Sequence, residues 1–432
     1  MTKLLVQEYL ETHTLGELAK EHGVYATFSK SGHKASFNYD MLETQDDDLL
    51  ARDCRGLILS AKDGHSFLGQ AKYLNGKPNY DHVVMGKTHI IAFGLRRFFN
   101  YGQGSADPID FTDPNIIILE KKDGTLSQCY FDKFIGRWCV STRSVPEADL
   151  LMDNGIFTFR TLFEKCLVET TGLSFDDYTA KLDKEITYCF EICSPLNRIV
   201  CAYPDNTLTF IGARRISYET HKPFSYEPTE EFVKIQELDI REVPSFGVPL
   251  VPTYDYQTID QLLVWVASRS PSEHEGLVLR DAKFNRVKIK SDAYLSFSKL
   301  RDSLGNSERN CLTLILNGKE DDAIPFLPKE IVENLLSIKA GLQRAMQDND
   351  MAYEVIFQET NAMMPGDKKT FALAVNEAVQ LRGNKLWAPY FFNRWDHKSS
   401  SIKEFIMSSQ KLGSWGDSFL DRLLEISKAH FS

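Results

Sequence analysis

Ile116-Ile117-Ile118-Leu119-Glu120-Lys121-Lys122-Asp123-Gly124-Thr125 is the stretch from which the rest of the chain is read. Its apolar, β-branched first half predicts a buried strand. Asp and Gly favour tight turns, so a hairpin turn is expected over 121–125, with 126–131 as the return strand. This places Lys121 at the mouth of a sheet, on a rigid element. A lysine that attacks phosphorus needs such a place, because it must lie in line with the leaving group. It must also be neutral when it attacks. A free lysine titrates near ~10.4. Nearby cations and partial desolvation are therefore expected to lower its pKa. The bland reading of the same residues is a surface turn with an exposed lysine.

Three further runs change the balance. Phe190-Glu191-Ile192 ends a strand-like segment, and Glu275-Gly276-Leu277-Val278 opens another. In Val287-Lys288-Ile289-Lys290 the alternation puts both lysines on one face of a strand. Taken singly, the glutamates read as strand-end carboxylates and the lysines as the solvated face of an edge strand. Together they supply a nucleophile candidate, two acids and a lysine pair. A triphosphate carries several negative charges and must release pyrophosphate, which calls for Lys, Arg and a divalent cation. Mg2+, or Mn2+ in its place, prefers oxygen ligands and suits two separated glutamates.

These runs resemble motifs I, III, IV and V of the covalent nucleotidyltransferases, which comprise DNA ligases, RNA ligases and mRNA capping enzymes. Cys54-Arg55-Gly56, Arg97-Phe98-Phe99-Asn100, Pro195 with Asn197-Arg198-Ile199-Val200, and Lys288-Ile289-Lys290-Ser291-Asp292 resemble one branch. That branch is the RNA ligase 1 family typified by T-even bacteriophages. The likeness spans residues 50 to 325, roughly, and is weakest beyond. It implies that Lys121 forms an adduct with AMP from ATP. It implies that Glu191 lies near the nucleoside sugar and the metal, and Glu275 near the metal. Lys288 and Lys290 would hold the triphosphate and assist transfer, while Arg55 grips the terminal phosphates. Arg97 and Arg143 stand where the family shows lysine, which keeps the charge but changes the geometry. Glu120 and Tyr39 join the expected nucleotide contacts. Asp321 or Asp322 matches an acid of a helical domain that helps with metal. Their bland reading is a solvated helix start.

The organisation along the chain fits an α+β protein. Thr14-Leu15-Gly16-Glu17 predicts a capping box opening a short helix that stops at Gly23. Strand signals recur to about residue 300, interrupted by a helical segment over 157–168. Helical spacing then takes over, at Ile331, Leu335, Ile338 and Leu342, and at Phe371, Val375, Ala378 and Val379 with Gly383 as a stop. It continues at Ile402, Phe405 and Ile406, and at Phe419, Leu423 and Leu424. The expected division is a nucleotidyltransferase domain over 1–298, an ATP-grasp-like ligase adenylation fold of antiparallel sheets with helices. An all-helical domain over 299–432 follows. DNA ligases and capping enzymes continue with an oligonucleotide-binding barrel instead. The helical text therefore points to RNA joining. The expected reaction unites 5′-phosphate and 3′-hydroxyl ends, in single-stranded RNA or at tRNA anticodon-loop breaks, as in RNA or tRNA repair. The chain is too short for the fused kinase and phosphodiesterase domains of fungal and plant tRNA ligases. Two alternatives stand beside this reading: a catalytically silent RNA-binding protein on a ligase scaffold, and a DNA-joining or capping transferase.

Bulk properties set the frame. Of 432 residues, 43% are hydrophobic and 25% charged, as in soluble globular proteins. No signal peptide or membrane span is expected. The eight scattered cysteines form no C-x-x-C pair, so reduced, buried thiols in cytoplasm (a host's, if viral) are expected rather than zinc. The ten histidines show no metal-ligand spacing. A net charge of −10 is awkward for an enzyme of polyanions. What matters is where positive charge sits, and Arg96, Arg97, Lys121, Lys122, Lys133, Arg137 and Arg143 recur together, apart from Asp46-Asp47-Asp48. Trp387, Tyr390, Phe391, Phe392 and Trp395 read as helix–helix core before they read as base-stacking groups. No obligate protein partner is inferred.

Overall fold

The computed structural model describes residues 3–40, 43–74, 77–152, 155–221, 230–256, 258–305, 307–382, 387–409 and 415–429. Thr14 shows how local chemistry sets its elements. Its hydroxyl accepts the Glu17 N–H, and the Glu17 carboxylate accepts the Thr14 N–H, closing a capping box on the helix Leu15–His22. Gly23, at φ +61°, ends that helix in the left-handed conformation glycine adopts freely.

The chain separates into two compact units, Met1–Tyr294 and Leu295–Ser432. The expected boundary at 298/299 falls instead inside a helix, Asp292–Gly305. The first unit is built on antiparallel sheets. One has four strands, in the order Val24–Phe28, Lys34–Tyr39, Arg55–Ala61 and Thr88–Ala92. A second runs Arg137–Thr142, Thr125–Asp132, Ile186–Cys193, Thr207–His221 and Glu230–Leu238. A third runs Thr253–Tyr254, Ile117–Lys121, Gly276–Arg280, Arg286–Lys290 and Phe99–Asn100, the last pair being parallel. Ile186–Cys193 and Gly276–Arg280 are buried at every position, so these apolar runs act as the spines of their sheets. The helix Phe159–Thr171 packs Leu162, Phe163, Cys166 and Leu167 into the same core as Tyr188, Phe190 and Ile192.

The hairpin expected around Lys121 does not form. Ile117–Lys121 pairs with Gly276–Arg280, whereas Thr125–Asp132 pairs with Arg137–Thr142 and Ile186–Cys193 in a different sheet. The Lys-Asp-Gly segment therefore carries the chain from one sheet to the next. The cause is tertiary. The buried Asp123 carboxylate accepts the N–H groups of Val200 and Cys201 at 2.8 and 2.6 Å and the Tyr294 hydroxyl at 2.6 Å. Tyr203 accepts the Asp123 N–H at 3.0 Å. Gly124 passes so close to the Ile192 carbonyl that a Cβ there would collide with it.

In the second unit, Leu335, Ile338 and Leu342 line the inward stripe of the helix Lys329–Met363. Phe371, Val375, Leu423 and Leu424 join that core from Lys368–Arg382 and Asp417–Ala429. Trp387, Tyr390 and Phe391 are buried in it, with Phe392 and Trp395 packed against them, so these aromatic residues are core. Gly341 touches the Ser427 carbonyl too closely for any side chain, which lets the two helices cross tightly. The expected stop at Gly383 lies outside the described residues. All eight cysteines are free and buried. Among the described residues no helix is long and apolar enough to cross a membrane.

Candidate active site

Lys121 is the last residue of its strand and sits across from Gly276, which in turn sits across from Lys290 on the other side. Gly276 has no room for a Cβ, because the Ile289 carbonyl oxygen occupies that space. The two lysines flank this glycine and reach past it to Glu275. Lys121 Nζ lies 2.8 Å from Glu275 Oε2, and Lys290 Nζ lies 2.6 Å from Oε1. Glu275 is only 4% exposed, so these charge-assisted bonds replace its water. Burial pushes the Glu275 carboxyl up, but Lys121 and Lys290 outweigh it and hold the group below the usual glutamate range.

Glu191 enters from the neighbouring sheet and accepts the Gly124 N–H at 3.2 Å. Burial raises its carboxyl to about 7, with Glu275 adding to the shift and Lys121 and Arg55 opposing it. The expectation of a depressed Lys121 pKa is corrected. Burial does oppose its charge, but contact with Glu275 and the nearby Glu191 outweigh that, and the ammonium is held above the usual lysine range. The carboxylates dominate because Glu275 is in direct contact, while the opposing charge of Arg55 is the smaller effect.

The depressed amine is Lys288 instead. Burial, then the charges of Lys290, Lys121 and Arg55, bring it down to about 7. Its Nζ lies 5.6 Å from the Phe98 ring, and the Arg55 guanidinium lies 5.2 Å from the same ring. Arg55 Nη1 is buried with no hydrogen-bond partner among the described residues. A buried donor left open in this way suits an incoming anion. Lys288 is charged below pH 7 and neutral above it. Metal-free affinity for a triphosphate, measured by calorimetry, is thus expected to fall about tenfold between pH 6 and pH 8 beyond the nucleotide's own titration. Lys288→Arg, which cannot lose its proton, should remove that component. An unchanged pH profile in Lys288→Arg contradicts this role.

Arg55, Glu120, Lys121, Glu191 and Phe98 line one cavity with an apolar side of Leu119, Ile211, Val251 and Val278. Glu120 pairs with Lys122 at 2.7 Å and accepts the Tyr254 hydroxyl at 3.2 Å. Tyr39, Arg97 and Arg143 form a separate cluster. Both guanidinium groups lie 4.4 Å from the Tyr39 ring. Arg97 is also tied to Asp46 at 2.6 Å, and Arg143 to the Asn38 side-chain oxygen at 2.6 Å. Burial, together with Arg55 and Arg97, moves the Arg143 pKa down, while Tyr39 raises it. The cluster is thus close enough to Arg55 to feel its charge.

Asp321 belongs to the helical unit. It is exposed, on the short helix Glu320–Ala323, 3.7 Å from Lys339. The side chain of Asp322 lies outside the described residues. Residues without an assigned role in the sequence reading are Asp123, Tyr203 and Tyr294, which fix the turn after Lys121, and Phe98, whose ring lies beside two cations. The aspartate of the K-x-D-G run was the available signal for the first three.

Among the described residues no group of three or more His, Cys, Asp and Glu side chains is set to hold a metal. The Asp123 oxygens are consumed by the turn and both Glu275 oxygens are engaged by lysines, so Glu191 and Glu275 would hold a metal together only once Lys121 or Lys290 leaves Glu275. Two carboxylates fit a magnesium-type ion, which draws its other ligands from water and phosphate.

No protein-family model matches the chain. It is 24% identical over 302 residues to the "Putative bifunctional polynucleotide kinase/RNA ligase" of Autographa californica nuclear polyhedrosis virus, covering 67% of this chain and 37% of that one. It is 25% identical over 289 residues to the "Immediate-early protein ICP-46 homolog" of Invertebrate iridescent virus 3, covering 62% and 59%. The chain thus spans between about a third and three fifths of the length of these curated relatives. Among solved structures it aligns with an archaeal ATP-dependent RNA ligase at 14% identity and a TM-score of 0.42, covering 78% of this chain and 82% of that one.

Proposed function

We propose that this chain is an ATP-dependent RNA ligase that carries AMP on Lys121 and joins 5′-phosphate to 3′-hydroxyl ends. The observation that carries the reading is the Lys121–Glu275–Lys290 grip. It holds one lysine at a strand end, beside a pocket lined by further cations. The name borne by the nuclear polyhedrosis virus relative accords with it.

In the first step the Lys121 amine attacks the α-phosphorus of ATP. A P–N bond forms, the bond to the bridging oxygen breaks and pyrophosphate leaves. The Lys121 ammonium first gives one proton to solvent, and Glu275 Oε2, which accepts its hydrogen bond, orients the neutral amine that remains. Lys288, Lys290 and Arg55 balance the charge of the departing phosphates. A divalent cation at Glu191 and Glu275 would neutralise phosphate charge and, by its own charge, favour the neutral amine of Lys121. The second step moves AMP to a 5′-phosphate of RNA and frees the lysine. In the third, a 3′-hydroxyl attacks the activated end and AMP departs. Arg97 and Arg143 hold Tyr39 as a nucleotide contact beside this pocket. The biological task is repair of broken RNA, tRNA included, in cytoplasm.

The test compares circularisation of 5′-phosphorylated single-stranded RNA and DNA of one sequence, with ATP and Mg2+. RNA is expected to close at least roughly tenfold faster, the discrimination available to a site that hydrogen-bonds a 2′-hydroxyl. DNA closing equally well or better contradicts the substrate assignment. Use of GTP in preference to ATP would move the reading to a capping transferase.

A further inference from the structure

The first unit holds a second cavity, of about 550 Å³, that shares Phe98 and Arg286 with the Lys121 cavity but no other lining residue. Its wall carries Arg52, Arg96, Arg97, Arg214, Lys283 and Arg286 against Asp107 and Glu237, six basic side chains to two acidic. In a chain of net charge −10 this is a local reversal of sign, and a concave wall focuses it.

The carboxylates do not use up this charge. Glu237 serves two guanidinium groups at once, Arg214 at 2.6 Å and Arg286 at 2.5 Å. Arg214 is 4% exposed, yet its Nε has no partner among the described residues. Asp107 pairs with Arg52 through one oxygen and accepts the Arg286 N–H at 3.1 Å through the other. Arg96 and Arg97 lean on Asp53 and Asp46, which lie off the wall. Lys283 is exposed, with no side-chain partner among the described residues.

The loop between Gly276–Arg280 and Arg286–Lys290 forms part of the wall. There Phe284 sits at φ +64°, a conformation that bulky side chains rarely adopt. Such strain persists where the surroundings hold it, and it clusters at ligand sites. Phe98 and Arg286 line this cavity and the Lys121 cavity alike. From Arg286 the same strand presents Lys288 and Lys290 on alternate positions. A chain of phosphates entering here would therefore meet cations continuously up to Glu275.

We propose that this cavity seats the end of a single-stranded RNA, with phosphates on the arginines and a base against Phe98 or Phe284. The volume suits about one nucleotide, and aromatic faces with basic walls are how proteins hold single strands. The inference rests on the ligase reading only for the direction of the strand, whose 5′-phosphate would point toward Lys121.

The test uses the full chain and a short 5′-phosphorylated single-stranded oligoribonucleotide, with binding followed by fluorescence anisotropy across a salt series. Lys283→Glu removes one phosphate contact and should flatten the slope of log affinity against log salt by about 0.7. Phe284→Gly removes a ring at a position whose backbone suits glycine, so folding is retained. The double variant should bind roughly tenfold more weakly. Both single variants should keep AMP labelling of the protein within about twofold, because neither touches the nucleotide pocket. Unchanged RNA affinity in the double variant overturns the proposal. So does a parallel loss of AMP labelling, or displacement of RNA from the wild type by a free mononucleotide at equal concentration. A wild type that takes no AMP but binds RNA through Lys283 and Phe284 leaves this inference standing and removes the ligase reading.

Discussion

Lys121→Ala is expected to abolish joining of 5′-phosphorylated RNA while sparing the joining of RNA whose 5′ end already carries AMP. The substitution removes the nucleophile of the first step and nothing that the last step needs. Glu275, Lys290, Lys288 and Arg55 remain in place, and Glu275 keeps its bond to Lys290. Loss of the nucleophile should lower the overall rate roughly a thousandfold or more, about 4 kcal/mol of barrier. Pre-adenylylated RNA bypasses that barrier, so its joining should stay within about tenfold of wild type. Gel-based joining assays on the two substrates measure both. Equal loss on both would make Lys121 a residue of the whole site, not the AMP carrier.

Glu275→Gln is the second large effect, and it acts on stability as well as rate. Two lysines, 19% and 18% exposed, now share one buried carboxylate. Removing its charge leaves them facing each other across Gly276. Breaking a buried pair at one partner costs about 3–5 kcal/mol, and the partial exposure of the lysines favours the low end. Thermal unfolding should therefore shift down by several degrees. Burial then acts unopposed by the nearest anion, so the Lys121 pKa should fall. The sign follows from the contact that now raises it. Reaction of Lys121 with an amine-directed acylating reagent should become faster at neutral pH, even as AMP transfer drops by about a hundredfold or more. An unmoved reactivity profile would contradict the electrostatic account of this lysine.

Parts of the candidate site were legible in the sequence. Lys121, Glu191, Glu275, Lys288 and Lys290 sit at strand ends or alternate along a strand, and period-two alternation is visible without a partner. The pairing of those strands is not local. The return strand after Gly124 was legible as a strand, but its sheet is set by Asp123 binding groups 77, 78 and 171 residues away. The sign of the Lys121 shift was hidden for the same reason, since its partner Glu275 is 154 residues distant. Charge recurrence pointed to basic residues near 96–97 and 143. Their grouping around Tyr39 depends on which sheet faces each of them. In the helical unit, Leu335, Ile338 and Leu342 declared their face by spacing alone, which is why its helices were the easiest part to read.

The measurement that tests the central claim most directly is the site of AMP attachment. The protein is incubated with ATP and Mg2+, denatured, and analysed by mass spectrometry before and after digestion. One AMP is expected on the peptide containing Lys121, lost on mild acid treatment as a phosphoramidate is, and absent from Lys121→Ala. No adduct, or an adduct that survives Lys121→Ala, contradicts the account.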